Sequence, residues 1–228
     1  MISILNQIIL RIISLLPKKI VFFFAGKYVA GENINTLVKA TKDVNNMGYD
    51  VTIDILGEHI KDKSLANAIA KQYSNIYEQI KLNNLKSNIS LKPSHIGLDI
   101  SYDYCLANLL SIAKIAKKNE NFLRIDMEDS KSTSNTIKLL NDARKHYDNI
   151  GTVFQAYLTR TIDDIKKLNY KNINYRLCKG IYNESLDISF KNKDDINENY
   201  IKILNEGFKR NHYIGIATHD TKLLDRVY

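Results

Sequence analysis

Short apolar runs rich in β-branched residues alternate with longer segments of helical periodicity, and this alternation limits the fold more than any other feature. The runs lie at 51–56, 89–92, 122–127, 152–158, 173–178 and 213–218. Between them, apolar residues recur at three- and four-residue spacing over 64–82, 104–116, 134–147 and 198–208. A shorter helix is predicted over 161–168, beginning at a Thr-x-x-Asp cap. Strand followed by helix, six times, predicts an α/β fold of parallel strands with helical crossovers.

Two architectures fit this order: a (β/α)8 TIM-type barrel and a doubly wound sheet. Both gather ligands at the carboxyl ends of the strands. A closed barrel needs eight strands and about 250 residues, so about six βα units in 228 residues predict a distorted, incomplete barrel. No repeat, low-complexity segment or Pro-rich linker divides residues 25–228, which we treat as one domain.

Residues 1–24 form a separate apolar segment. Arg11, Pro17, Lys18 and Lys19 interrupt it, so it falls short of the roughly 20 apolar residues that span a bilayer. We expect an amphipathic N-terminal helix that packs on the domain, with a membrane-surface anchor as the alternative.

The composition argues against several classes of function. With 33 basic and 25 acidic residues the net charge is +8, but the lysines are scattered, without an arginine block or an aromatic stripe, which disfavours nucleic-acid binding. Cys105 and Cys178 form no CxxC pair. No metal site or disulfide is therefore predicted, and a reducing compartment is favoured.

Polar residues collect at the carboxyl ends of the predicted strands. They are Asp54, Glu58, Lys92, Asp126, Glu128, Asp129, Gln155, Arg176, Lys179, Tyr182 and His219. Helix capping explains Asp54 and Glu58 as well as a site does, and capping or a salt bridge explains Asp126 and Asp129. Gln155 is harder to explain, because burial of an unpaired amide costs about 1–3 kcal/mol. A ligand or an internal network is expected to meet it.

The chemical mixture narrows the choice of ligand. Lys92, Arg176 and Lys179 suit a carboxylate, a phosphate or an electron-rich heterocycle, and Asp126 offers a counter-charge for an amine. The pattern indicates an amino or imino acid beside an anionic cofactor, although neither GxGxxG nor a Walker loop is present. A Schiff-base lyase that uses Lys92 or Lys179 is an alternative.

Seven segments resemble, in order, the motifs of the proline dehydrogenase family. They are KYVAGE (27–32), DILGE (54–58), SLKPSHIGLD (90–99), RIDMEDS (124–130), FQAYLTRT (154–161), YRLCKGIYNE (175–184) and IATHD (216–220). The resemblance implies a distorted βα barrel that binds FAD without a Rossmann fingerprint. It also implies hydride transfer from L-proline to flavin N5, which yields 1-pyrroline-5-carboxylate, and onward transfer of electrons to a quinone. The protein would be cytoplasmic or peripheral at the inner face of a membrane, the matrix side in a mitochondrion.

The resemblance also implies roles for individual residues. Cofactor contacts would come from Gln155, Arg176, Lys179, Gly180, Thr218 and His219. Lys92 would pair with the proline carboxylate, Asp126 and Tyr182 would line the substrate pocket, and Asp54 and Glu58 the entrance. No residue is assigned as an acid or base, because none is required if proline binds with a neutral nitrogen.

Four departures from the family pattern stand out. Pro93 is expected to bend the end of its strand, Ile181 to crowd the flavin beside Cys178, and Asp220 to add negative charge in place of an asparagine. Family members continue through two more strands and a helix with paired arginines, whereas Arg226 lies only seven residues after His219. We therefore expect a C-terminally truncated form, whose alternative function is to bind flavin or a partner without turnover.

Overall fold

Six parallel strands form one sheet in the computed structural model, which describes residues 29–227. The strands are β1 (Val51–Ile53), β2 (Ser87–Leu91), β3 (Leu123–Ile125), β4 (Ile150–Gln155), β5 (Asn174–Cys178) and β6 (Tyr213–Ala217). All six coincide with the apolar runs of the sequence. The helices are α1 (Ile34–Asn46), α2 (Lys63–Leu82), α3 (Tyr102–Lys118), α4 (Ser130–Arg144), α5 (Thr161–Lys166), α6 (Lys193–Lys209) and α7 (Thr221–Val227), with a 3-10 turn at Pro93–Ile96.

Each strand pairs in parallel with the next strand along the chain, in the order β1-β2-β3-β4-β5-β6. A doubly wound sheet reverses its strand order at a switch point, and no reversal occurs here. The sheet is a curled half-barrel, so the barrel prediction is confirmed and the doubly wound alternative is wrong. Within residues 29–227, β1 and β6 each pair along one side only.

The two faces of the sheet differ in polarity. The outward face packs apolar side chains such as Ile89, Leu123 and Leu177, all with no exposed surface, against the helices. The inward face is more polar: Ser90 stands in register with Arg124, and Arg176 with the apolar Val153. Because side chains alternate along a strand, the residues that serve packing and those that serve the cleft come from the same short segments.

Two helix caps differ from expectation. Thr161 was predicted to cap α5, but its hydroxyl donates to the carbonyl of Gln155 at 2.6 Å. The turn before α5 presents that carbonyl to the hydroxyl, and the residue in the cap position is Arg160, which has no side-chain cap bond. The cap of α2 is Asp62, whose carboxylate accepts from Leu65 N at 2.7 Å, so Asp54 and Glu58 are free of that role.

Helices α1 and α7 were not predicted, because neither coincides with one of the periodic segments of the sequence. The helix expected at 1–24 lies outside the described residues. Across residues 29–227 the helices are all too short or too polar to cross a membrane.

Candidate active site

A cleft of about 660 Å³ opens at the carboxyl ends of the strands, within the size range of small-molecule sites. Nine of the predicted residues line it: Lys92, Asp126, Gln155, Arg176, Lys179, Gly180, Tyr182, Thr218 and His219. The sequence prediction required Gln155, Arg176 and Lys179 to face one place, and the structure brings them together. Asp54 reaches the cleft through Lys92, and Glu58 is exposed on the loop after β1.

One ion pair in the cleft lining joins the end of β3 to β5, across β4. Arg176 Nη2 donates to Asp126 Oδ1 at 3.1 Å, and the Ser90 hydroxyl donates to the same oxygen. Burial raises the pKa of Asp126, while Arg176 and Ser90 act against the shift. Asp126 is therefore a partner for a cation rather than a helix cap.

A second ion pair joins β1 to β2. Lys92 Nζ donates to Asp54 Oδ2 at 2.5 Å, and Tyr73 on α2 donates to the other oxygen, Oδ1, at 3.2 Å. Burial lowers the pKa of Lys92, but the hydrogen bond and the charge of Asp54 outweigh burial, so that the pKa is raised. A raised lysine pKa disfavours the Schiff-base alternative at Lys92, because that chemistry requires the neutral amine.

A third cluster lies where β5 and β6 end. Lys179 Nζ donates to Asp220 Oδ2 at 2.5 Å, and Lys193, the first residue of α6, lies 3.2 Å from the same oxygen. The hydrogen bond from Lys179 lowers the pKa of Asp220 far below its usual range. The negative charge that Asp220 adds is thus balanced by two lysines.

The amide of Gln155 meets an internal network. Its Nε2 donates to the backbone carbonyl of Glu128 at 2.9 Å, and the Glu128 carboxylate accepts from Ser94 N at 2.9 Å and from Ser94 Oγ at 2.5 Å. Burial raises the pKa of Glu128. Among the described residues, nothing donates to Gln155 Oε1, which leaves an acceptor for a ligand N–H.

The loop between β5 and α6 covers one side of the cleft. Gly180 begins it with φ +108°, and a Cβ there would overlap the Tyr157 ring, so the backbone lies directly on that ring. Burial raises the pKa of Tyr182 to about 12, with Glu128 and Glu58 adding to the shift. Ile181, between them, is 88% exposed at the cleft rim.

The model of one protein family, described as proline dehydrogenase, matches residues 37–228, which is most of the chain. The chain belongs to the proline dehydrogenase family. Proline dehydrogenase 2 of Bacillus subtilis is 37% identical over 201 residues, and proline dehydrogenase 1 of the same species is 34% identical over 200. Each alignment covers 88% of this chain and 66% of the relative, so the chain spans just under two thirds of their length.

Solved structures show the same fold at lower identity. Proline utilization A from Bdellovibrio bacteriovorus, inactivated by N-propargylglycine, superposes with a TM-score of 0.81 at 19% identity, covering 91% of this chain and 27% of that one. A variant of proline utilization A from Bradyrhizobium japonicum gives 0.74 at 20% identity, over 89% of this chain and 25% of that one. The half-barrel of this chain therefore superposes on part of the barrel domain in each of these proteins.

Several residues of this family member were missed by sequence reasoning. The sequence analysis does not single out Lys193, and Tyr73 enters it only through the helical periodicity of residues 64–82. Ser90 and Arg124 lie inside two of the family motifs but have no role assigned there. Arg124 is 7% exposed and donates to Asn174 at 3.2 Å. The signal was available in the spacing: Arg124 lies two residues before Asp126, and Ser90 lies two residues before Lys92. Since side chains alternate along a strand, each pair is expected on the same face of the sheet.

The donor set fits a flavin dinucleotide. Arg176, Lys179 and Lys193 supply cations for acceptor-rich and phosphate groups, while Gln155 offers an acceptor and Gly180 a bare stretch of backbone. Arg176 Nε is also buried without a hydrogen-bond partner among the described residues. These features agree with a ligand that carries both ring heteroatoms and negative charge.

Proposed function

We propose that this protein oxidises L-proline to 1-pyrroline-5-carboxylate with FAD as its cofactor and a quinone as the electron acceptor. The observation that carries the proposal is the convergence of Gln155, Arg176 and Lys179 with Lys92 and Asp126 on one cleft. Membership of the family supports the reaction class. In this proposal the reduced cofactor is reoxidised at the inner face of a membrane, by a protein that is cytoplasmic or peripheral.

The cofactor would lie against β4, β5 and the end of β6. Gln155, Arg176, Lys179, Gly180, Thr218 and His219 would hold it, and bound FAD would supply the two-electron acceptor. Fixed cations at this place favour a group that gains negative charge on reduction, and they require little reorganisation because ion pairs already hold them. Arg176 is anchored by Asp126 in this way.

The substrate would lie on the β1–β3 side of the same cleft. Lys92 would bind its carboxylate, Asp126 and Tyr182 would contact the ring, and Asp54 and Glu58 would stand at the entrance. Fixing both ends of a small ring orients its reacting carbon. With a pKa of about 12, Tyr182 keeps its proton at neutral pH and acts as a donor rather than as a base.

A second candidate is binding of flavin or a partner protein without turnover. Arg176 is the single arginine in the cleft lining within residues 29–227, which leaves Lys92 as the cation best placed for a carboxylate. Lysine is a point charge and lacks the bidentate geometry of arginine. A weakly held substrate would leave the cleft as a binding site alone.

Anaerobic titration of the FAD-loaded protein with L-proline separates the two candidates. If the protein oxidises proline, the visible absorbance of the oxidised flavin should disappear on addition of proline and return on addition of a soluble quinone. A bound flavin that proline never bleaches favours binding without turnover. A protein that fails to bind FAD contradicts both oxidation and flavin binding, and it leaves only the binding of a partner protein.

Arg176→Met provides the variant for this experiment, and Arg226→Met is its matched control. Arg226 contacts Glu198 on α6, at 2.6 Å, away from the cleft lining. We expect Arg176→Met to weaken FAD binding by at least about tenfold, because a charge-assisted contact is lost, and Arg226→Met to leave it unchanged.

A further inference from the structure

Tyr73 is a buried tyrosine with its hydroxyl on the carboxylate that holds Lys92. It lies on the inner face of α2 with no exposed surface, and its ring packs edge-on against His95 at 6.4 Å between centroids. Its hydroxyl donates to Asp54 Oδ1 at 3.2 Å. Burial raises its pKa well above the usual value, so the phenol remains a donor.

The two oxygens of Asp54 have different partners. Oδ1 accepts from Tyr73, and Oδ2 accepts from Lys92 at 2.5 Å. An ammonium group has three donors, and one of them is used here. If Asp54 were free to turn, both of its oxygens could approach Lys92 and compete with a ligand carboxylate for the remaining donors.

We propose that Tyr73 is a positioning residue for Lys92: by holding Oδ1 of Asp54 it limits the Asp54–Lys92 pair to one oxygen and leaves ammonium donors directed to the ligand carboxylate. The inference rests on the proposed function, in which Lys92 binds the carboxylate of proline. It adds a residue on a helix outside the cleft lining to the recognition of substrate.

The charges around Lys92 make carboxylate binding sensitive to the position of Asp54. Asp126 and Glu128 act on Lys92 in addition to Asp54, so a ligand carboxylate enters a place already rich in negative charge. Its affinity depends on how much of the Lys92 charge the neighbours leave available. A small change in the position of Asp54 is therefore expected to change carboxylate binding more than it changes packing.

The test is the affinity of FAD-loaded Tyr73→Phe for cyclopentanecarboxylate, a ring carboxylate without the reacting nitrogen, measured by calorimetry. Phenylalanine keeps the ring contacts with His95 and removes only the hydroxyl. We expect binding to weaken by about three- to tenfold, the range of one lost hydrogen bond. Cyclopentanecarboxamide, which has no charge for Lys92, is expected to bind both proteins equally.

Tyr77→Phe is the matched control. Tyr77 lies one turn further along α2, is equally buried, and donates to the Phe122 carbonyl at 2.9 Å. It loses a comparable hydrogen bond away from Lys92, so its affinity for cyclopentanecarboxylate is expected to be unchanged. An equal loss in both variants would overturn the proposal, since it would indicate a general effect on packing.

A double-mutant cycle with Lys92→Met separates positioning from structure. Tyr73→Phe should have no further effect on carboxylate affinity once Lys92 is absent, whereas a structural effect would persist. Wild-type protein that binds FAD and the carboxylate, with no change in Tyr73→Phe, would refute the role of Tyr73 alone. If the wild type fails to bind FAD or fails to bind cyclopentanecarboxylate, the proposed function is refuted as well.

Discussion

At the scale of single residues, the cleft is organised by carboxylates that hold its cations in place. Asp54 holds Lys92, Asp126 holds Arg176, and Asp220 holds Lys179. Side chains with several rotatable bonds lose entropy when a ligand orders them. Pairing fixes these cations before a ligand arrives, which is how a site with few rigid donors becomes selective.

Gly180 offers a test at this scale, with Gly48 as its control. Both have positive φ, +108° and +90°, but a Cβ on Gly180 would overlap the Tyr157 ring, whereas a Cβ on Gly48 would have nothing within 4 Å. Gly48→Ala should cost about 1 kcal/mol in unfolding free energy from backbone strain alone. Gly180→Ala should cost about 1–3 kcal/mol more because of overpacking. Urea unfolding of the two variants measures the difference, and equal losses would contradict the close approach.

At the scale of elements, the loop between β5 and α6 is tied to the start of α4. The Glu184 carboxylate accepts from Ser130 N at 2.7 Å and from Ser130 Oγ at 2.6 Å. A carboxylate at a helix N-terminus satisfies free N–H groups and interacts well with the helix dipole. The loop that carries Tyr182 therefore depends on a helix two units earlier in the chain.

Glu184→Ala should loosen this loop. We expect a loss of about 1–2 kcal/mol in unfolding free energy and faster amide exchange over residues 180–192. Glu198→Ala is the control, because Glu198 is an exposed carboxylate that pairs with Arg226 and such exposed pairs contribute little. Hydrogen exchange followed by mass spectrometry reads both variants, and unchanged exchange over the loop in Glu184→Ala would show that the contact does not restrain it.

At the scale of the whole molecule, the half-barrel joins a continuous apolar core to a polar inner face. Core residues extend from Ile53 on β1 to Leu223 on α7. The inner face holds several buried ionisable groups whose pKa values are shifted by burial, and shifted groups make folding stability depend on pH.

Two buried histidines, His95 and His212, make the folding stability depend on pH. Burial lowers the pKa of His95, and that of His212 as well. A lowered histidine pKa stabilises the fold above the unfolded value of 6.5, and this contribution is lost as the pH falls below it. The raised pKa values of Asp126 and Glu128 act in the opposite direction, since the folded state takes up those protons more readily.

The pH dependence of His95→Gln tests this argument. The urea midpoint of the wild type should fall more steeply between pH 7 and 5 than that of His95→Gln, because the variant lacks the group that must charge on unfolding. His146→Gln, on the exposed surface, should retain the slope of the wild type. If the urea midpoint of His95→Gln falls with pH as steeply as that of the wild type, His95 is not the origin of the pH dependence.

Much of the architecture could be predicted from the sequence, because local periodicity and strand-end chemistry are local properties. The six strands, the polar residues at their ends and the family motifs were all readable from the chain. Periodicity alone left the order of the strands open, since barrel and doubly wound folds share the same alternation of elements. The resemblance to the proline dehydrogenase family is what favoured the barrel. Helices α1 and α7 were not predicted, because neither lies in one of the segments whose helical periodicity was identified.

The sequence alone determined which groups come to the carboxyl edge of the sheet, because strand periodicity and parallel connection fix the side and the end at which each one emerges. The tertiary structure alone decided their partners. Tyr73 reads as one more apolar position on a helix, and only the packing of α2 on β1 brings its hydroxyl to Asp54. Hydrogen bonds depend on distances of a few tenths of an ångström between residues far apart in the chain, and spacing along a sequence does not specify such distances.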